Sequence, residues 1–168
     1  DTVAFGVTRA YFPERQGGDL VSRAMVARWL QPGEVSYYGK LALRHLGGVP
    51  GEVAPAALRE ALRHTALKEI ALAAYGQRKD PALLPDLQEA LNPTWVGYAE
   101  ERHRFAKQAA DTISRYMTDE AAEVLLQGVG IAENEEIRQA CFDGLERIRL
   151  YQEAQERLNR RDVGKAKR

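Results

Sequence analysis

Residues 79–91 read Lys79-Asp80-Pro81-Ala82-Leu83-Leu84-Pro85-Asp86-Leu87-Gln88-Glu89-Ala90-Leu91, and this stretch decides the fold class. Asp80 before Pro81 reads as a helix start. The carboxylate can accept from the first unpaired backbone N–H groups, and proline at the first helical position gives up a donor that lacks a partner there anyway. Leu83, Leu84, Leu87 and Leu91 then recur at helical rather than alternating spacing. Asn92-Pro93 stops the run.

The same punctuation recurs on both sides. Upstream, Asp19 is placed to cap a helix carrying Leu20, Val21, Ala24, Met25 and Trp29, which Gln31-Pro32-Gly33 ends. A second helix over 34–46 puts Tyr38, Leu41, Ala42 and His45 on one stripe and closes at Gly47-Gly48. Pro55 opens a helix to Arg63, and another spans Ala66 to Tyr75, ended by Gly76. Downstream, a longer stripe from Thr94 runs through Trp95, Ala99, Ala106, Ala109, Ala110, Ile113 and Met117. Thr118-Asp119 caps a short helix with Ala122, Leu125 and Leu126 that ends at Gly128 or Gly130. Asn134 caps a last helix bearing Ile137, Cys141, Leu145, Ile148 and Tyr151, running to Asn159. The pattern predicts eight helices and no strand after residue 18.

The 168 residues suit one domain, and 24 basic side chains balance 24 acidic ones. The apolar fraction of 45% and charged fraction of 29% are those of a globular protein, so global disorder is excluded. The lone Cys141 excludes an internal disulfide framework and a multi-cysteine zinc site. No apolar run approaches a membrane span, and no secretory signal opens the chain. A start at Asp1 rather than Met implies processing, trimming or excision from something longer.

The helices pair, and the pairs repeat. Aligning the ends of the second helices places Leu46, Tyr75, Met117 and Ile148 in equivalent positions, at intervals of 29, 42 and 31 residues. A period near 30 with one stretched interval is the signature of a helical solenoid, in which stacked neighbours bury the apolar face that one pair cannot. Small residues such as Ala42, Ala71, Ala110 and Ala140 would let adjacent helices approach closely. An irregular bundle of eight helices is the competing arrangement.

Residues 79–91 resemble the first helix of HEAT repeats, especially the short bacterial kind related to phycobilisome-lyase repeats. Asn134-Glu135-Glu136-Ile137-Arg138-Gln139-Ala140-Cys141 resembles the opening of the second helix, and Lys40-Leu41-Ala42-Leu43-Arg44-His45-Leu46-Gly47-Gly48 resembles its ending. The resemblance covers residues 19–150 as about four repeats. It implies an all-α, right-handed alpha-alpha solenoid. The third interval is too long, pointing to an insertion near 92–101, and the first unit is degenerate. The domain plan is an N-terminal arm at 1–18, a HEAT-like repeat domain at 19–150, and a helical extension with a basic tail at 151–168.

Chemistry-bearing patterns are sparse. Glu100 and His103 give one Glu-x-x-His spacing, whereas a di-metal bundle needs two plus further glutamates. His45, His64 and His103 fall on different repeats with no nucleophile nearby, and Cys141 occupies an apolar stripe position. Phosphate-loop, dinucleotide and nucleophile-elbow motifs are absent, so neither enzymatic activity nor a cofactor or metal is expected. Charge is polarised instead: Asp119 to Glu146 holds eight acids and one base, while Arg157 to Arg168 holds six bases and one acid. The tail, with Gly164 and no apolar periodicity, is expected to be disordered. A helix from Asn134 to Asn159 would be about 39 Å long, twice what a repeat needs, so its outer part projects or caps.

The reading that follows is a non-enzymatic scaffold or adaptor, a structural subunit holding another protein or larger complex. The arm residues Phe5, Tyr11 and Phe12, the insertion residues Trp95 and Tyr98, and the outer-helix residues Tyr151 and Leu158 are the candidate contacts. The alternative is a HEAT module for nucleic acid or phosphate, using Arg102, Arg104, Lys107, Arg157, Arg160 and Arg161. The lyase resemblance implies a third role, a helper in chromophore attachment, with no residue assignable to it.

Overall fold

A computed structural model describes residues 53–64 and 66–166, together with Lys40, Leu43, Arg44, Gly47 and Gly48. The predicted arm and first helix, most of the second helix, and Phe5, Tyr11 and Phe12 lie outside the described residues. The described chain contains six α-helices and no strand. They are α1 (Val53–Arg63), α2 (Lys68–Arg78), α3 (Leu84–Ala90), α4 (Ala99–Ser114), α5 (Asp119–Ile131) and α6 (Glu135–Ala166). A single 3-10 turn over Pro81–Leu83 leads into α3.

The start signals act as the sequence predicts. Asp80 accepts the Ala82 N–H through Oδ1 at 3.0 Å, Thr118 Oγ1 accepts from Ala121 at 3.3 Å, and Asn134 Oδ1 accepts from Ile137 at 2.9 Å. Pro85 explains why the run from Pro81 opens as a 3-10 turn. It has no N–H to return to the Pro81 carbonyl, so the first turn cannot close with an α-type bond there.

Several stops fall elsewhere than predicted. Gly76 and Gly128 do not end their helices; both are buried inside them. A Cβ at Gly128 would lie 2.7 Å from Leu91 Cδ1 and 3.0 Å from Cys141 Sγ, so this glycine permits close helix approach. Lys79 ends α2 in the left-handed region (φ 51°, ψ 36°), its N–H donating to the Tyr75 carbonyl at 3.0 Å. The long central helix starts at Ala99 rather than Thr94, since residues 93–96 form a turn closed by Val96 N–H to Pro93 O at 3.1 Å. It ends at Ser114, and Met117 (φ 58°) reverses the chain before α5. The last helix continues through Ala166, so the basic stretch expected to be disordered is helical that far. Equivalence of Tyr75, Met117 and Ile148 does not hold in place: they lie inside α2, beyond α4 and mid-way along α6.

The chain divides into two compact units, residues 1–83 and 84–168. In the first, α1 packs on α2 across a four-residue connection, burying Ala57, Leu58, Ala61 and Leu62 with Ala71, Leu72 and Tyr75. In the second, α3 packs on α4 and α5, α4 on α5 and α6, and α5 on α6, whereas α3 and α6 share no comparable interface. A square four-helix bundle would instead bring the first and last helices together. The common wall is α4, whose Phe105, Ala106, Ala109, Ala110 and Ile113 are all buried.

Left-handed geometry costs an L-residue about 1–2 kcal/mol and glycine nothing comparable. Lys79→Gly is therefore expected to raise unfolding stability by about 1 kcal/mol, read as a higher urea midpoint, because the exposed lysine gives up little contact.

Candidate interaction surface

The two aromatic residues of the predicted insertion part company. Trp95 packs edge-to-face on Phe105 with ring centroids 6.4 Å apart. Its indole N–H is buried without a hydrogen-bond partner, so Trp95 staples the connection to α4 and has no polar handle to offer. Tyr98, immediately before α4, is 80% exposed.

A larger apolar surface lies on the final helix pair. The Gln88 amide of α3 donates to Gln127 Oε1 of α5 at 2.5 Å, and Gly128 meets Leu91, fixing the side of α5 that faces α3. At about 100° per residue, Ala122, Leu126 and Val129 point the opposite way. On α6, Arg147 and Gly144 face α4, which places Arg138, Phe142, Leu145 and Arg149 on the far side. Leu126 is 61% exposed and Phe142 45%, while Ala122, Val129 and Leu145 are half-buried beside them. This end face is rimmed by the acids Asp119, Glu123, Glu135 and Glu146.

Sequence reasoning places Leu126 with Leu125 on the buried stripe and does not single out Phe142. The available signal is adjacency. Neighbouring apolar residues such as Leu125-Leu126 and Cys141-Phe142 sit about 100° apart, so a narrow stripe buries only one of each. Tyr151 and Leu158, two of the predicted contacts, are both exposed on α6. Beyond Gln152, whose amide donates to Asp119 at 2.6 Å, residues 154–160 are all exposed.

The predicted anion-binding residues are dispersed, and most are matched by carboxylates. Arg102 lies 3.5 Å from Glu133, Lys107 3.0 Å from Glu136, Arg157 3.7 Å from Glu153 and Arg160 3.5 Å from Glu156. Arg104 is exposed, and the Arg161 side chain lies outside the described residues. The Lys107 ammonium holds Glu136 below the usual carboxylate range. His103 shares the Glu133 carboxylate with Arg102, at 3.5 Å. Among the described residues no group of three or more His, Cys, Asp or Glu side chains could hold a metal ion. Burial pushes the Cys141 thiol up to about 11, which keeps it protonated and a poor nucleophile near neutral pH. No helix is long and apolar enough to cross a membrane among the described residues.

One polar cluster fixes α6 on α4. Asp111 accepts from Arg147 Nη1 at 2.7 Å through one oxygen and from Arg115 at 2.7 and 3.1 Å through the other. Arg147 also reaches Ser114 Oγ at 2.7 Å. Beside it, a Cβ on Gly144 would stand 2.8 Å from Leu125 Cδ1 and 3.2 Å from Ser114 Cβ, so the absence of a side chain lets α6 settle here.

No family model, no curated protein and no solved structure matches this chain.

Partial burial of Asp111 works against its charge, but the hydrogen bonds from Arg147 and Arg115 outweigh it and hold the carboxyl below its ordinary value of 3.8. A depressed folded-state value gives stability that is present above the unfolded-state value and lost as pH falls through the folded one. Asp111→Asn is thus expected to lower the urea midpoint at neutral pH, with the gap from the native chain closing below the ordinary carboxylate range. A gap that stays constant into acid would contradict the assignment.

Proposed function

We propose that the chain is a non-enzymatic protein–protein interaction module, a scaffold or adaptor built as a HEAT-like α-solenoid segment and serving as a structural subunit of a larger assembly. The observation that carries this reading is the end face of α5 and α6. Leu126 and Phe142 stand exposed where a further helix pair would stack, whereas the outer face of a terminal repeat must be polar to remain in water uncovered. The packing of α3 on α5 and of α4 on α6, with α3 apart from α6, supports stacked pairs over a closed bundle. Tyr98 adds a second exposed aromatic contact. The matched bases argue against the anion-binding alternative, because a phosphate must compete with carboxylates already in place.

A nuclease-treated pull-down with the tagged chain, its retained proteins identified and their stoichiometry measured, tests the reading. The expected result is a stoichiometric protein that is lost with Leu126→Asp or Phe142→Asp and kept with a charge change at Arg104. Retention of nucleic acid alone, or a partner indifferent to both end-face changes, would overturn it. Both substituted positions are exposed, so loss of binding would not be loss of fold.

A further inference from the structure

The end face that bears Leu126 and Phe142 has two unequal edges. On α6 the edge beyond Phe142 carries Glu135 and Glu146, about 20° apart around the helix. Both are matched from within the face: Arg138 donates to Glu135, and Arg149 reaches Glu146 at 2.6 Å. Past the start of α5, Glu153 lies between Arg149 at 2.7 Å and Arg157 at 3.7 Å. The α6 edge is thus balanced, three acids to three bases. On α5 the edge beyond Leu126 carries Asp119 and Glu123, one turn apart and both exposed. Among the described residues, Asp119 meets only the neutral Gln152 amide, at 2.6 Å, and Glu123 has no hydrogen bond or ion pair. Asp119 suits the first turn of a helix, where the dipole favours an anion. Glu123 stands a turn beyond that reach, so the dipole does not account for it.

We infer that this face takes an amphipathic helix of another protein, one with Lys or Arg along the single edge of its apolar stripe that meets Asp119 and Glu123. The inference rests on the scaffold reading and adds the partner's chemistry to it. The stripe would lie on Ala122, Leu126, Leu145 and Phe142, the apolar side chains that no helix of the described second unit covers. Charge complementarity selects the occupant. The two carboxylates without a base stand on one side of the face only, so bases one turn apart on one edge of the incoming helix match them. A helix edged with acids would set like charge against α5. A second copy of this face is a poor match as well. The bases it could offer, Arg138 and Arg149, are already engaged with Glu135 and Glu146, and its own surplus charge is negative.

Fluorescence anisotropy of the full chain with two labelled synthetic helices of about 14 residues, four turns each, tests it. Both peptides carry leucines at helical spacing; one has lysines along one edge of the stripe, the other glutamates at the same positions. The expected result is saturable binding of the lysine peptide that weakens as salt rises, with the glutamate peptide weaker by about tenfold or more. Glu123→Lys should weaken the lysine peptide by about threefold or more and tighten the glutamate peptide. Leu126→Asp should abolish binding of the lysine peptide although it adds a negative charge, which separates docking on the apolar stripe from attraction of charge alone. Both positions are exposed, so neither change removes core packing. Binding of neither peptide, equal binding of both, or a lysine peptide indifferent to Leu126→Asp would overturn the inference. A protein partner lost with Leu126→Asp but unmoved by Glu123→Lys and by salt would overturn it too, while leaving the scaffold reading in place.

Discussion

The second unit depends on one wall. Helix α4 is flanked by α3, α5 and α6, so its surface must be apolar around much of its circumference and must let three neighbours approach. Its sequence meets both demands with Phe105 and Ile113 near the two ends of the stripe and Ala106, Ala109 and Ala110 between them, all buried. Burying such a stripe is favourable at roughly 25 cal/mol per Å² of apolar area, and alanine gives it with no rotamer entropy to lose. Glycines complete the fit on the facing helices, Gly128 against Leu91 and Cys141, Gly144 against Leu125 and Ser114.

From this wall follows the division of α6. At 32 residues it is about 48 Å long, whereas the 16-residue α4 offers only about 24 Å of partner. The first half is anchored by Ile137, Cys141 and Ile148 in the core and by Arg147 on Asp111 and Ser114. The second half has no core and is held by local pairs, Arg149 and Arg157 on Glu153 and Arg160 on Glu156. A helix polar around most of its circumference persists through such pairs or through a neighbour. The exposed large apolar residues of these helices lie where support ends, Leu126 and Phe142 on the uncovered face of α5 and α6, and Leu150, Tyr151 and Leu158 along the outer part of α6.

Much of this was legible because caps and apolar spacing are local. Asp80, Thr118 and Asn134 announce their helices through side-chain chemistry that needs no tertiary partner. The stops were harder. Glycine ends a helix or admits a neighbour, and the sequence does not distinguish the two until Leu91 and Cys141 are seen against Gly128. Lys79 and Met117, by contrast, turn the chain with positive φ and carry no glycine to mark it. Of the candidate surface, the spacing exposed Tyr98 and the outer part of α6 but concealed Leu126, whose burial depends on which side α3 occupies. That is a property of the packing and not of the helix.

Native-state hydrogen exchange on the full chain measures the wall directly. If the stack is built on α4, the amides of 106–113 exchange slowest in the second unit and only through its global unfolding, while those of α3 and of α6 beyond 152 open at lower cost. Exchange in 106–113 as fast as in α3, or through an opening that leaves α5 and the first half of α6 protected, would contradict the account.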